Sequence, residues 1–257
     1  MIRLAATVML VRPSGARGFE VLMVRRSAAS HFVPDAYVFP GGTVDPQDYA
    51  EGTLARIYGV DETLLRGNFR SQSAPHFPAP LQAVNAREAS ALIAAGLREL
   101  YEEAGVLLAC DAHGRPCGSQ SADAARVAYP DALEALNAFG DARALALFSQ
   151  WITPPAYPKR YNAHFFLALA PQGQAARADA VETHDGVWIA PARALEQSRL
   201  GRFSLVYPTI KHLERLAAFD DACALLQFTR NKPIYAIMPE TQSDAPFSIP
   251  HDLEMAW

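Results

Sequence analysis

The chain has 257 residues, half of them hydrophobic and 19% charged, which suits one large domain with a sizeable core and excludes a disordered chain. Its 23 basic and 27 acidic residues leave a net charge of −4, which argues against a broad basic surface for nucleic acid. Cys110, Cys117 and Cys223 show no C-x-x-C spacing, so they fit neither a disulfide framework nor a zinc site and read as small buried hydrophobes.

The apolar run Ala5 to Val11 is too short to cross a bilayer and reads as a strand. With Phe19 to Arg25 it forms a predicted hairpin around the turn cluster Pro13 to Gly18. A loop then leads through Pro34 to Phe39-Pro40-Gly41-Gly42, and residues 49 to about 83 are mixed in character. Asn85 is placed to cap a helix from Ala86 to Ala104 that stops at Gly105, with Leu97, Leu100, Tyr101 and Ala104 on its buried face. Val106 to Ala109 suits a central strand, residues 111 to 130 a surface excursion, and Ala132 to Phe148 a helix broken near Gly140. Trp151 to Thr153 and Tyr161 to Ala170 read as strands separated by a proline-rich turn, and Val187 to Ile189 as another. Pro191 to Gln197 and Ile210 to Phe219 read as helices, and Pro233 to Met238 as a last strand. Strands with helices between them argue α/β or α+β.

On the helix from 86 to 104, Glu99, Glu102 and Glu103 stand at i, i+3 and i+4 and share one face, opposite the apolar stripe. Carboxylates so close repel unless a cation neutralises them, and Mg²⁺ binds such oxygens while keeping water and phosphate oxygens as further ligands. Arg98 stands where it can pair with Glu102 across one turn. Taken bare, E-x-x-E-E is more often a solvated acidic face than a metal site.

The surroundings of this helix carry more information. Arg98-Glu99-Leu100-Tyr101-Glu102-Glu103-Ala104-Gly105-Val106 resembles the second half of the Nudix box, R-E-U-x-E-E-x-G-U, at every fixed position. Gly42, followed by Asp48, is similar to the first half, G-x5-E, with Asp in place of Glu. Residues 49–97 separate the two halves where the family has about seven residues. The branch that resembles the animal peroxisomal coenzyme A diphosphatases is similarly split. The likeness to it includes Phe32 to Gly42, Trp151 to Pro155 and Arg160 to Ala168.

The resemblance implies a Nudix α/β/α sandwich with a mixed sheet, enlarged by helical insertions at about 49–97 and 111–150, in one domain over residues 1–257. It implies hydrolysis of a diphosphate bond, with Glu99, Glu102, Glu103 and the Gly41 carbonyl holding Mg²⁺ or Mn²⁺ and Arg98 orienting a helix glutamate. Asp48, shorter than Glu, is expected to act through water in a secondary role. Many members use a further carboxylate outside the box. Glu182 is the candidate here, with His184 and Asp185 as rivals.

The coenzyme A branch also carries L-L-T-x-R-[SA]-x3-R-x3-G-x3-F-P-G-G. Here Arg26, Ser27 and Phe39 to Gly42 match, while His31 replaces the arginine and Asp35 the glycine. Arg25, Arg26 and His31 are therefore the candidate substrate-binding residues. His164 and His212 read as packed or surface histidines, and Trp151 and Trp188 as core.

The expected reaction takes coenzyme A or acyl-coenzyme A to 3′,5′-ADP and (acyl-)phosphopantetheine. The alternatives are ADP-ribose, NADH or another nucleoside diphosphate derivative, and a catalytically silent binding domain. The expected partner is a small nucleotide-diphosphate substrate rather than nucleic acid or membrane, with a homodimer left open. Leu253 to Trp257 does not read as a peroxisomal or retention signal, and cytoplasmic localisation in a bacterium is the expectation.

Overall fold

The computed structural model describes residues 2–15, 17–27, 34–73, 83–117, 127–174, 176, 183–240, 247–254 and 257. A continuous apolar run at the start of the chain, buried on both faces, produces a long strand, β1 (Ile2–Pro13), which pairs antiparallel with β2 (Phe19–Arg26). Two short strands follow, β3 (Tyr37–Val38) on β2 and β4 (Gly41–Thr43) on the first half of β1. Next come α1 (Glu51–Ala55), β5 (Ile57–Tyr58), α2 (Glu62–Asn68) and β6 (Gln72–Ser73).

The long helix α3 (Ala86–Ala104) has the predicted ends. Asn85 accepts from the Glu88 amide at 2.9 Å, Glu88 accepts from the Asn85 amide at 2.9 Å, and Gly105 closes the helix in the left-handed conformation at φ 66°. After it run β7 (Ala109–Cys110), α4 (Tyr129–Ala135), β8 (Phe139–Asp141), β9 (Ala146–Ile152), β10 (Arg160–Leu169) and β11 (Thr183–Ile189). The chain continues through α5 (Pro191–Arg199), α6 (Tyr207–Leu216), α7 (Ala222–Asn231) and β12 (Tyr235–Ile237).

The main sheet runs β11-β2-β1-β10-β9-β12-β6 and is mixed, because β1 pairs parallel to β10 but antiparallel to β2 and β4. Its two faces are covered separately. Ala6, Val8, Leu10, Leu22, Phe166 and Ala168 lie beneath α3, while Met9, Val11, Val21, Met23, Phe165 and Leu167 lie beneath α5, α6 and α7. This is the α/β/α arrangement expected from the sequence. A second sheet, β5-β8-β7, packs beside α3.

Several local expectations need correction. Ala132 to Phe148 is not one helix: α4 ends at Ala135, and β8 and β9 follow. The alanine- and leucine-rich stretch favours helix locally, but pairing with β10 pulls residues 146–152 into the main sheet, so the 111–150 insertion is not helical throughout. Val106 to Ala109 does not make a central strand, since only Ala109 joins a strand, and that strand lies in the small sheet. The α7 helix, capped by Asp221 on the Ala224 amide at 2.7 Å, was not foreseen. Cys110 is buried, Cys117 half-buried and Cys223 exposed, so the cysteines are not uniformly buried.

Candidate active site

β4 brings Gly41 and Gly42 under the C-terminal half of α3. The strand is fixed by Val8 N–H donating to Pro40 O at 2.8 Å and Val44 N–H donating to Leu4 O at 2.9 Å. Both glycines are required by close approach. A Cβ on Gly41 would collide with Ala6 O and stand 2.6 Å from Thr7 Cα, whereas a Cβ on Gly42 would drive into the Glu99 carboxylate. The Gly41 amide donates to Glu103 Oε2 at 2.9 Å, so the loop and the helix carboxylates are locked together.

The two halves of the split motif meet through Arg98. A short 3-10 turn, Pro46–Tyr49, with proline at its start, buries Asp48 completely. Arg98 Nε donates to Asp48 Oδ1 and Nη2 to Oδ2, both at 2.9 Å, a two-pronged contact between residues 50 apart in sequence. Its Nη1 donates to Glu99 Oε1 at 2.9 Å and to Glu102 Oε2 at 2.8 Å, and Nη2 reaches Thr43 O at 3.3 Å. Asp45 N–H completes the Asp48 carboxylate at 2.8 Å.

Burial opposes the Arg98 charge, but the bonds to Asp48 and the charges of Glu99 and Asp48 outweigh it, raising the pKa. The guanidinium is therefore a permanent cation. Asp48 grips Arg98 directly, a contact that the sequence did not reveal. The first-half position of the motif was legible, but its function was not, because nothing in the local sequence says that residue 48 reaches residue 98.

The helix carboxylates are not a solvated face. Glu99 and Glu103 are buried, and Glu102 stands at the rim with 39% of its side chain exposed. Asp48, Glu99 and Glu102 present three carboxylates around the one Arg98 guanidinium. As placed, these carboxylates turn toward Arg98 and the Gly41 amide, and no three acidic, histidine or cysteine side chains among the described residues converge on one point. The donor chemistry nevertheless fits a hard divalent cation: oxygen-only ligands, excess negative charge, and a glycine at 42 whose missing side chain lets the Glu99 carboxylate lie against the strand.

The other sequence candidates are distributed unevenly. Arg25 donates to Asp35 Oδ1 at 3.0 Å, both side chains being well exposed. Asp35 adopts φ 61°, the left-handed conformation for which the signature's glycine is suited, so Asp supplies the backbone shape and also occupies Arg25. Arg26 lies at the end of β2 opposite Thr183, with its amide donating to Ala36 O at 3.0 Å. His31 and Glu182 lie outside the described residues, as do the rival side chains of His184 and Asp185.

His164 and His212 are fully buried, and burial pushes their rings down to about 4 and about 3. His212 is a packed core residue. The Pro208 carbonyl can only accept, so Nδ1 donates to it at 2.6 Å, and Nε2 accepts from Ser149 Oγ at 2.6 Å. Trp151 is buried as expected, whereas Trp188 is half-buried with the Arg12 guanidinium 4.4 Å from its ring centre.

A sequence model of the NUDT19 Nudix domain matches residues 1–216. The acyl-coenzyme A diphosphatase NUDT19 of Gallus gallus is 27% identical over 256 residues, covering 86% of this chain and 67% of the relative. Its counterpart in Homo sapiens is 27% identical over 248 residues, covering 84% and 65%. The chain spans 62 to 67% of the length of the curated relatives it matches. Among solved structures, a NUDIX hydrolase from Alicyclobacillus acidocaldarius superposes with a TM-score of 0.65 at 26% identity, covering 88% of this chain and 96% of that one. With a match over most of its length, and with the two separated halves of its motif joined at Arg98, the chain belongs to the Nudix family, in the group defined by the NUDT19 Nudix domain.

Proposed function

We propose that the chain is a metal-dependent diphosphatase that cleaves coenzyme A or acyl-coenzyme A to 3′,5′-ADP and (acyl-)phosphopantetheine. The observation that carries the reaction is the Asp48–Arg98–Glu99 assembly, buried and opening to solvent at Glu102, built from both halves of the motif beside the Gly41-Gly42 strand. The substrate class rests on the relatives named acyl-coenzyme A diphosphatase.

Nudix hydrolases generally use divalent metals. Here Glu99, Glu102, Glu103 and the Gly41 carbonyl would hold Mg²⁺ or Mn²⁺, which supplies neutralisation of the diphosphate and a bound water of lowered pKa. The protein's own part is positioning. Arg98, held by Asp48, fixes the carboxylates of Glu99 and Glu102, while the Gly41 amide fixes Glu103. Hydrolysis adds one water across a P–O–P bridge: a new P–O bond forms, the bridging P–O bond breaks, and a proton is released to solvent.

A second reading, turnover of ADP-ribose or NADH, is favoured by the Arg25–Asp35 pair, because Arg25 is occupied by a carboxylate rather than open to a phosphate. The test is a panel of coenzyme A, acetyl-coenzyme A, ADP-ribose and NADH with Mg²⁺ or Mn²⁺, with products identified by mass. Chelator-sensitive release of 3′,5′-ADP supports the coenzyme A reading. Cleavage confined to ADP-ribose and NADH replaces it with the second.

A further inference from the structure

On the sheet face opposite α3, two cationic side chains point buried donors at no acceptor. Lys232 closes α7, its amide donating to Phe228 O at 2.9 Å, and is 5% exposed. Its Nζ has no hydrogen-bond partner and lies 4.5 Å from the centre of the Phe148 ring. Arg215, on α6, is half-buried. Its Nε is likewise without a partner, and its Cζ stands 5.4 Å above the ring of Phe228, the residue that accepts from the Lys232 amide.

Neither cation forms an ion pair among the described residues. Arg70 adds a third positive charge close by, its Nη2 donating to the carbonyls of Arg230 and Lys232 at 2.8 and 2.7 Å. His212, one turn before Arg215 and 5.9 Å from Phe148, feels the Lys232 charge as well.

The energetic balance is unfavourable as it stands. An ammonium removed from water is strongly disfavoured unless it is paired. Contact with one aromatic face returns only part of that cost. Lysine is also a poor choice for filling space here, since methionine would fill it without a charge. Burial, then the charges of Arg215 and Arg70, push Lys232 down to about 7, the response of a cation held without a counter-ion.

We propose that Lys232 and Arg215 form a binding site for a phosphate-type dianion, the phosphate being free or the terminal group of a phosphate monoester. Two positive charges call for a doubly charged ligand, and a tetrahedral oxyanion can accept at once from an ammonium and from a guanidinium. Arg215, half-buried, is the more accessible of the two cations. Phe148, and the layer of α6 and α7 around it, lie on the other side of the sheet from Glu99 and Glu102. The site is therefore separate from the catalytic carboxylates and does not rest on the proposed reaction.

The test uses the whole chain in chelator, so that no metal can draw phosphate to the carboxylates. Thermal unfolding is followed in about 10 mM inorganic phosphate, or 3′,5′-ADP, against chloride of equal ionic strength. The expected result is a rise in Tm of ~3 °C with either ligand, retained by Glu102→Gln and lost in both Lys232→Met and Arg215→Gln. Lys232→Met is expected to fold and, without anion, to melt no lower than the wild type. A rise with the nucleotide alone, lost in Lys232→Met, also supports the site and identifies the monoester as its source. No rise with either ligand in the wild type, or an equal rise in Lys232→Met, overturns the proposal.

Discussion

Adding one methyl group at Gly41 and one at Gly42 should break different things. At Gly41 the new Cβ meets backbone, Ala6 O and Thr7 Cα, the latter at 2.6 Å, and neither can yield without separating β4 from β1. Overpacking of this kind costs about 3 kcal/mol, which in a chain of this size lowers Tm by roughly 6–12 °C. At Gly42 the new Cβ meets only the carboxylate end of Glu99, which can swing aside. The stability cost should then be within about 1 kcal/mol, but the carboxylate leaves its bond to Arg98 Nη1. Displacing a reacting group's support by about 1 Å costs on the order of 100-fold in turnover. The assay is paired: circular dichroism melting, and turnover of coenzyme A with Mg²⁺. Gly41→Ala should melt early, whereas Gly42→Ala should melt near the wild type with kcat reduced on the order of 100-fold. Equal Tm losses in the two variants, or full turnover by Gly42→Ala, would refute the placement of Glu99 beside this strand.

Three further outcomes follow from the same geometry. Asp48→Asn removes one charge from a buried, two-pronged pair and should cost about 3 kcal/mol in a urea titration; a loss under 1 kcal/mol would show the pair to be structurally idle. Asp35→Gly keeps the left-handed turn and frees Arg25, so KM for coenzyme A should fall severalfold while Tm changes by no more than about 2 °C, and an unchanged KM would remove Arg25 from substrate binding. Stability should also fall with acid through the two buried histidines. Above pH 6.5 their rings are neutral in both states. Below it the unfolded chain takes up protons that the folded rings, near 4 for His164 and 3 for His212, refuse. Each ring should contribute a loss of roughly 3 kcal/mol by about pH 4, and His164→Phe should remove one share of that slope in urea titrations at pH 7 and 4.5. An unchanged slope in the variant would contradict the assignment.

The helix carrying the carboxylates was readable because its ends are local chemistry: Asn85 with Glu88 at the start, and a left-handed Gly105 at the stop. The hairpin and β10 were readable for the same reason, since short continuous apolar runs bounded by turn residues need no distant partner. What was misread depends on distant partners. Residues 146–152 take strand form because β10 and β12 flank them, against the helical preference of their composition. Asp48 meets Arg98 across the whole intervening segment, and Arg25 meets a partner ten residues on, Asp35. The placing of Arg215 on Phe228 and of Lys232 on Phe148 was likewise invisible, because each is a contact between elements rather than a spacing along any one of them.

Product analysis of coenzyme A turnover by wild type and Glu102→Gln in Mg²⁺, side by side, bears most directly on the assembled site. The predicted result is release of 3′,5′-ADP and phosphopantetheine by the wild type, abolished by chelator and reduced at least 100-fold in a Glu102→Gln variant that melts normally. Undiminished release by that variant would contradict the carboxylate assignment, and no release by the wild type would contradict the coenzyme A reading.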